Sequence, residues 1–119
     1  MNGSYKEIKF AEDLKRKFEN ALKDISKEKF DELVSDHIDE YGDDIEDFSY
    51  SRFRNMFELI QSVESSYRWI YNYKYYKFND KFIREFISSV ELFCDEEEWI
   101  DFLKMWGIEE TEENLKKRI

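Results

Sequence analysis

The chain has no proline and only three glycines, Gly3, Gly42 and Gly107, among 119 residues. Proline and glycine punctuate turns and strand ends, so a chain this poor in both favours helices joined by few, short connections. Three isolated glycines also exclude a phosphate-cradling loop. Cysteine is nearly missing as well. The lone Cys94 cannot close an intramolecular disulfide, which points to a reducing setting, and the expected location is the cytoplasm. No stretch reaches 18 consecutive apolar residues, and no basic-then-apolar leader opens the chain, so a soluble protein with no membrane span is expected. With one histidine, His37, and one cysteine, a zinc site lacks ligands, and no metal or cofactor is assigned.

Aromatic side chains and charge take the place of what is absent. Phe, Trp and Tyr make up 18% of the residues. A chain of this length buries roughly two thirds of its unfolded surface, enough for one self-supporting core, and the expectation is a single domain over residues 1–119. Apolar residues recur at steps of three and four, the period of an amphipathic helix. Ile8, Ala11, Leu14, Phe18 and Leu22 form a first stripe, preceded by Ser4 and Glu7 at capping-box spacing. Ser26 is a candidate cap for a second stripe, Phe30, Leu33, Val34, Ile38 and Tyr41, although one long helix through Ser26 fits the pattern too. Gly42 suits the end of that helix, and residues 43–50 read as a loop.

Further along, Phe53, Met56, Ile60, Val63, Tyr67 and Ile70 keep the step of a packed helical seam. Residues 68–78, RWIYNYKYYKF, are aromatic on nearly every side. A helix is preferred over a strand there because no partner strand is evident. Helices capped by Asn79 or Asp80, by Asp95 with Glu98, and by Thr111 complete the chain, with Lys116, Lys117 and Arg118 at the terminal helix end where the dipole favours them. The fold class is all-α, a single-domain bundle of about five to six helices with an aromatic-rich core.

The formal charge of −10 is made in two places. Residues 36–47, DHIDEYGDDIED, hold seven carboxylates and no Lys or Arg, and residues 95–113 hold nine against Lys104 alone. Elsewhere the charges nearly balance. Clustered charge makes a directional field able to steer a basic partner, and it opposes direct binding to nucleic-acid phosphates or anionic lipid. The first cluster fails as an EF-hand: counted back from Gly42, its first and twelfth positions are His37 and Phe48. The second has a structural explanation, since acids at helix starts complement the dipole. His37 lacks a nucleophile motif beside it and reads as a bystander on a polar shoulder. Cys94 reads as a small core hydrophobe. Residues 68–78 divide between core packing, a protein interface and, with Arg68, Lys74 and Lys77, a base-stacking surface.

Three functions follow as expectations. The first is a small, non-enzymatic protein inhibitor that blocks a basic, nucleic-acid-processing protein, its carboxylates standing where phosphates lie. An immunity protein of a nuclease toxin and a phage-encoded inhibitor of a host defence nuclease are both of this type. The expected contact patch is Asp36, Asp39, Glu40, Asp43, Asp44, Glu46 and Asp47, anchored by Trp69, Tyr73 and Tyr76, with Trp99 and Trp106 as alternative anchors. The second is a helical scaffold or oligomerisation subunit that uses the Phe53–Ile70 stripe as its seam. The third is a small enzyme working through carboxylates in a concave pocket.

Overall fold

Seven α-helices and one short 3-10 turn account for the regular structure of the computed structural model, which describes residues 1–119 throughout: α1 Tyr5–Leu22, α2 Lys27–Tyr41, the 3-10 turn Ile45–Asp47, α3 Tyr50–Gln61, α4 Ser66–Tyr73, α5 Asp80–Leu92, α6 Glu96–Met105 and α7 Glu112–Lys116. There is no strand, only an isolated parallel bridge between Asn2 and Ser65. The all-α class therefore holds, with more helices than the five to six expected. The additional boundary falls inside the presumed seam.

Local chemistry sets most helix ends. Ser4 accepts from the Glu7 amide while the Glu7 carboxylate accepts from the Ser4 amide, a reciprocal box that also holds the Glu7 carboxyl below its usual range. Ser26 caps α2, so α1 and α2 are separate helices. Gly42 closes α2 with φ 75°, the left-handed geometry a glycine adopts without Cβ strain, and its amide reaches Ile38 O at 2.7 Å. Asn79 and Thr111 cap α5 and α7. Asp95 precedes α6 but makes no side-chain cap bond, so the box expected with Glu98 does not form. Between α3 and α4 the chain breaks without proline or glycine: the Ser62 hydroxyl donates to Leu59 O at 2.7 Å, and the Ser65 hydroxyl caps α4 at the Arg68 amide.

The helices pack as a flattened body measuring 44 × 33 × 21 Å, its short dimension about two helix layers thick. α1 lies along α4, α2 against α5, and α3 against α1 and α5. One cluster of 23 buried apolar residues fills the interior. Phe18 sits at its middle, stacked on Phe57 at 5.3 Å and Tyr73 at 5.8 Å and edge-on to Trp69 at 5.4 Å. Trp69 and Tyr73 both meet Trp106, at 5.2 and 5.0 Å. Each such contact adds about 0.5–1.5 kcal/mol beyond area burial. The indole donors are satisfied within the fold, Trp69 Nε1 by Val63 O and Trp99 Nε1 by Asn114 O, both at 2.9 Å.

One buried charge joins the remote parts. Arg52, 5% exposed, donates from Nε to Val90 O at 2.7 Å, from one terminal nitrogen to Arg118 O at 3.0 Å and from the other to Asp47 O at 2.5 Å. Val90 O is one of the carbonyls left over at the end of α5, where a positive charge also meets the negative end of the helix dipole. Asn55 Nδ2 adds a bond to Lys117 O at 2.9 Å, and Arg118 reaches Cys94 O at 2.7 Å, so α3 and the α5–α6 connection hold the C-terminal segment between them. Burial pulls the Arg52 guanidinium down from its ordinary value, yet an arginine stays protonated in a protein. Cys94 lies half-buried beside this junction and not in the core, with burial pushing its thiol up.

Arg52→Met leaves three carbonyls without their donor, and the expected loss is roughly 2–4 kcal/mol in urea denaturation. Arg52→Lys should lose most of the same amount, because one ammonium cannot reproduce the planar fork. A loss under about 1 kcal/mol for both variants contradicts the clamp.

Candidate functional site

The first acidic cluster begins on the last turns of α2 and continues through the 3-10 turn to Phe48. Asp36, Asp39, Glu40, Asp44 and Glu46 are exposed, and Asp43 and Asp47 are half-exposed. None of the seven carboxylates forms an ion pair with a Lys or Arg of the chain. The second cluster differs. Glu112 and Glu113 pair with Lys116 and Lys117 at 3.0 and 3.8 Å across one helical turn, and Glu96, Glu97 and Glu98 occupy the first turn of α6. Those pairs account for two of its nine carboxylates; the α6 dipole favours the acids of its first turn, and the other seven form no ion pair with a Lys or Arg.

The turn carrying the first cluster is held at several points. His37 Nε2 and Asp43 Oδ2 lie 2.8 Å apart. The imidazole is packed between Tyr41 and Phe48, with ring centres at 4.8 and 5.3 Å, and its side chain is only 9% exposed. His37 is thus not the bystander its position on the helix suggested; it clips the loop to the end of α2. Asp44 Oδ1 accepts from the Glu46 amide at 3.2 Å, capping the 3-10 turn that the expectation of a plain loop left out. Arg52 then fixes Asp47 O from beneath.

A cleft of about 830 Å³ opens between α2 and α5 beside this turn. Asp36, His37, Glu40, Tyr41 and Asp43 form one wall; Lys81, Arg84, Glu85 and Ser88 of α5 form the other, and Leu33 and Ile87 are the apolar part. Lys81 is turned to Glu85, 3.9 Å away, while Arg84 has no carboxylate partner. The α5 wall was not read from the sequence as part of any site, because the residues 36–43 and 81–88 meet only through the packing of two helices. No three His, Cys, Asp or Glu side chains converge into a metal-holding geometry.

The expected aromatic anchors need correction. Trp69 is 0% exposed and Tyr73 is 8% exposed, both inside the core cluster, so neither is available to a partner. Trp99 and Trp106 are buried as well. Only Tyr76 remains at the surface, at 44%. α4 ends at Tyr73 and residues 74–79 form a turn and loop, so residues 68–78 are helical only in their first half. The outer face of α4 carries Tyr67 and Tyr71, stacked at 5.6 Å. The seam from Phe53 to Ile70 is likewise taken up inside this chain: Phe53, Met56, Ile60 and Val63 are buried, and Tyr67 faces water from a different helix.

Glu91, on α5, reports on the field of the turn. Its carboxyl is pushed above the usual range by burial first and then by the charges of Asp43 and Asp47, with His37 and Arg52 opposing. A carboxyl raised in the fold binds protons more readily than in the unfolded chain, so its contribution favours folding at low pH and is lost as pH rises through the raised value. Glu91→Gln should therefore stabilise the protein at neutral pH, by at most about 1 kcal/mol after solvent screening, and leave it unchanged near pH 3. Thermal melts of both forms across that range check it; a destabilised variant at pH 7 contradicts the assignment.

No protein-family model, no curated protein and no solved structure matches this chain, so a functional reading has only its own residues to stand on.

Proposed function

We propose that this protein is a stoichiometric, non-enzymatic inhibitor that docks its acidic turn, residues 36–47, onto the cationic groove of a nucleic-acid-processing protein. The observation that carries the reading is that seven carboxylates are held on a pinned helix end and turn with no Lys or Arg of the chain to neutralise them. Unpaired like charges repel one another and oppose folding, so their rigid display is matched by a use for the field they make. A groove built for phosphates offers the complementary potential, and carboxylates placed in it stand in for the nucleic-acid backbone. Electrostatic steering of this kind gives fast, salt-sensitive association. An immunity protein paired with a nuclease toxin and a phage-encoded inhibitor of a host nuclease both meet this description.

The scaffold alternative loses its proposed seam to the core. The enzyme alternative gains a concave site, but Glu91, the carboxyl that burial pushes up, is not among the residues lining it. No helix is long and apolar enough to cross a membrane, which suits a partner met in solution.

The clean test avoids Asp43 and Asp44, whose side chains also hold the turn. Capture with the wild-type chain at low salt identifies the partner, and stopped-flow association then compares wild type with the Asp36→Asn, Asp39→Asn, Glu40→Gln, Glu46→Gln combination. The expected result is a basic nucleic-acid-binding partner, an association rate reduced at least roughly tenfold and a flatter dependence on ionic strength. An acidic partner, or equal rates at every salt concentration, contradicts the reading.

A further inference from the structure

The charged cleft does not stand alone. Glu85 lines it from one side and, from the other, lines a second concavity of about 180 Å³ between α4, α5 and α6. This slot is hydrophobic in ten of its thirteen lining residues; Phe102, Met56 and Ile60 are its most buried, and Tyr76 and Met105, each 44% exposed, its most open apolar ones. It is smaller than the roughly 300–1,000 Å³ typical of small-ligand sites and suits a single large side chain. Apolar pockets beside complementary charge are where interface anchors concentrate their energy, because water is excluded around them.

The neighbouring charge decides what kind of molecule carries that side chain. The α2 wall offers Asp36 and Glu40 without an ion-pair partner and Asp43 bonded only to His37, so a segment crossing it carries Lys or Arg. Arg84 on the α5 wall repels the same cations and keeps them on the α2 side. We propose that the α4–α5–α6 slot receives one large apolar side chain from a basic segment of the protein partner, whose cations lie along Asp36, Glu40 and Asp43. The proposal rests on the acidic docking function above and specifies its partner. It also reverses the direction of aromatic recognition: the chain accepts an anchor with a slot that Tyr73 helps to line, while its own Trp69 is closed away in the core.

The probes are two acetylated, amidated five-residue peptides, each with four lysines around a central tryptophan or a central serine, titrated into the labelled native chain at low salt and followed by amide chemical shifts. Both are expected to move the signals of Asp36, Glu40 and Asp43. Only the tryptophan peptide should move Ser89 and Met105, with at least roughly tenfold tighter binding. Ser89→Phe, which fills the slot from its lining, should remove that advantage and leave the serine peptide unaffected. If this variant does not fold, the two peptides against the native chain decide the matter alone. Equal affinity for both peptides, or tryptophan-dependent shifts elsewhere, overturns the slot and leaves acidic docking standing. No shift on α2 with either peptide contradicts acidic docking itself.

Discussion

A single guanidinium determines how the acidic surface is presented. Arg52 holds carbonyls from the 3-10 turn, the end of α5 and the C-terminal segment at once. Three donors on a rigid fork can satisfy three acceptors that no backbone ladder reaches, and the charge is tolerated because it sits among oriented dipoles. An unpaired buried carbonyl is costly, so each of the three segments is confined to a narrow range of positions. The turn that bears Asp44, Glu46 and Asp47 is therefore anchored to the core of the molecule from below and clipped to α2 by His37 from the side.

That anchoring gives the charge distribution its meaning. In the second cluster Glu112 and Glu113 pair with Lys116 and Lys117, and the acids in the first turn of α6 sit where the helix dipole favours them. The carboxylates of 36–47 have no Lys or Arg partner, and three of them, Asp36, Glu40 and Asp43, line a cleft whose opposite wall carries Lys81, Arg84 and Glu85. The α2–α5 groove is thus acidic on its α2 wall and mixed on its α5 wall, and a partner docking as proposed would meet both signs of charge there with an apolar slot on the other side of Glu85. Rigid presentation lowers the ordering cost of binding, which is the part of affinity that buried area does not report.

The sequence made legible whatever depends on neighbours a few residues away. Ser4 with Glu7, Ser26, Gly42, Asn79 and Thr111 mark helix ends through their own side chains or backbone freedom, and all act as expected. The stripes of α1, α3 and α5 likewise point inward. The misread features depend on tertiary contacts. Arg52 counted as one basic residue in a nearly balanced segment, with nothing local to show that the carbonyls of Val90 and Arg118 meet it from far along the chain. A helix aromatic on every side gives no signal of which rings turn inward, and Trp69 and Tyr73 prove to be core. The periodicity from Phe53 to Ile70 runs through a break made by serine caps at Ser62 and Ser65, where the expected punctuation by proline or glycine is absent. The cleft needs α2 and α5 side by side, a fact of packing with no local trace.

The central claim is that the acidic turn is a fixed part of the fold. Backbone ¹⁵N relaxation across residues 42–48 tests it most directly. Order parameters near about 0.85, equal to those of α2 and α3, are the expected result; values below about 0.6 describe a freely moving loop and contradict the account.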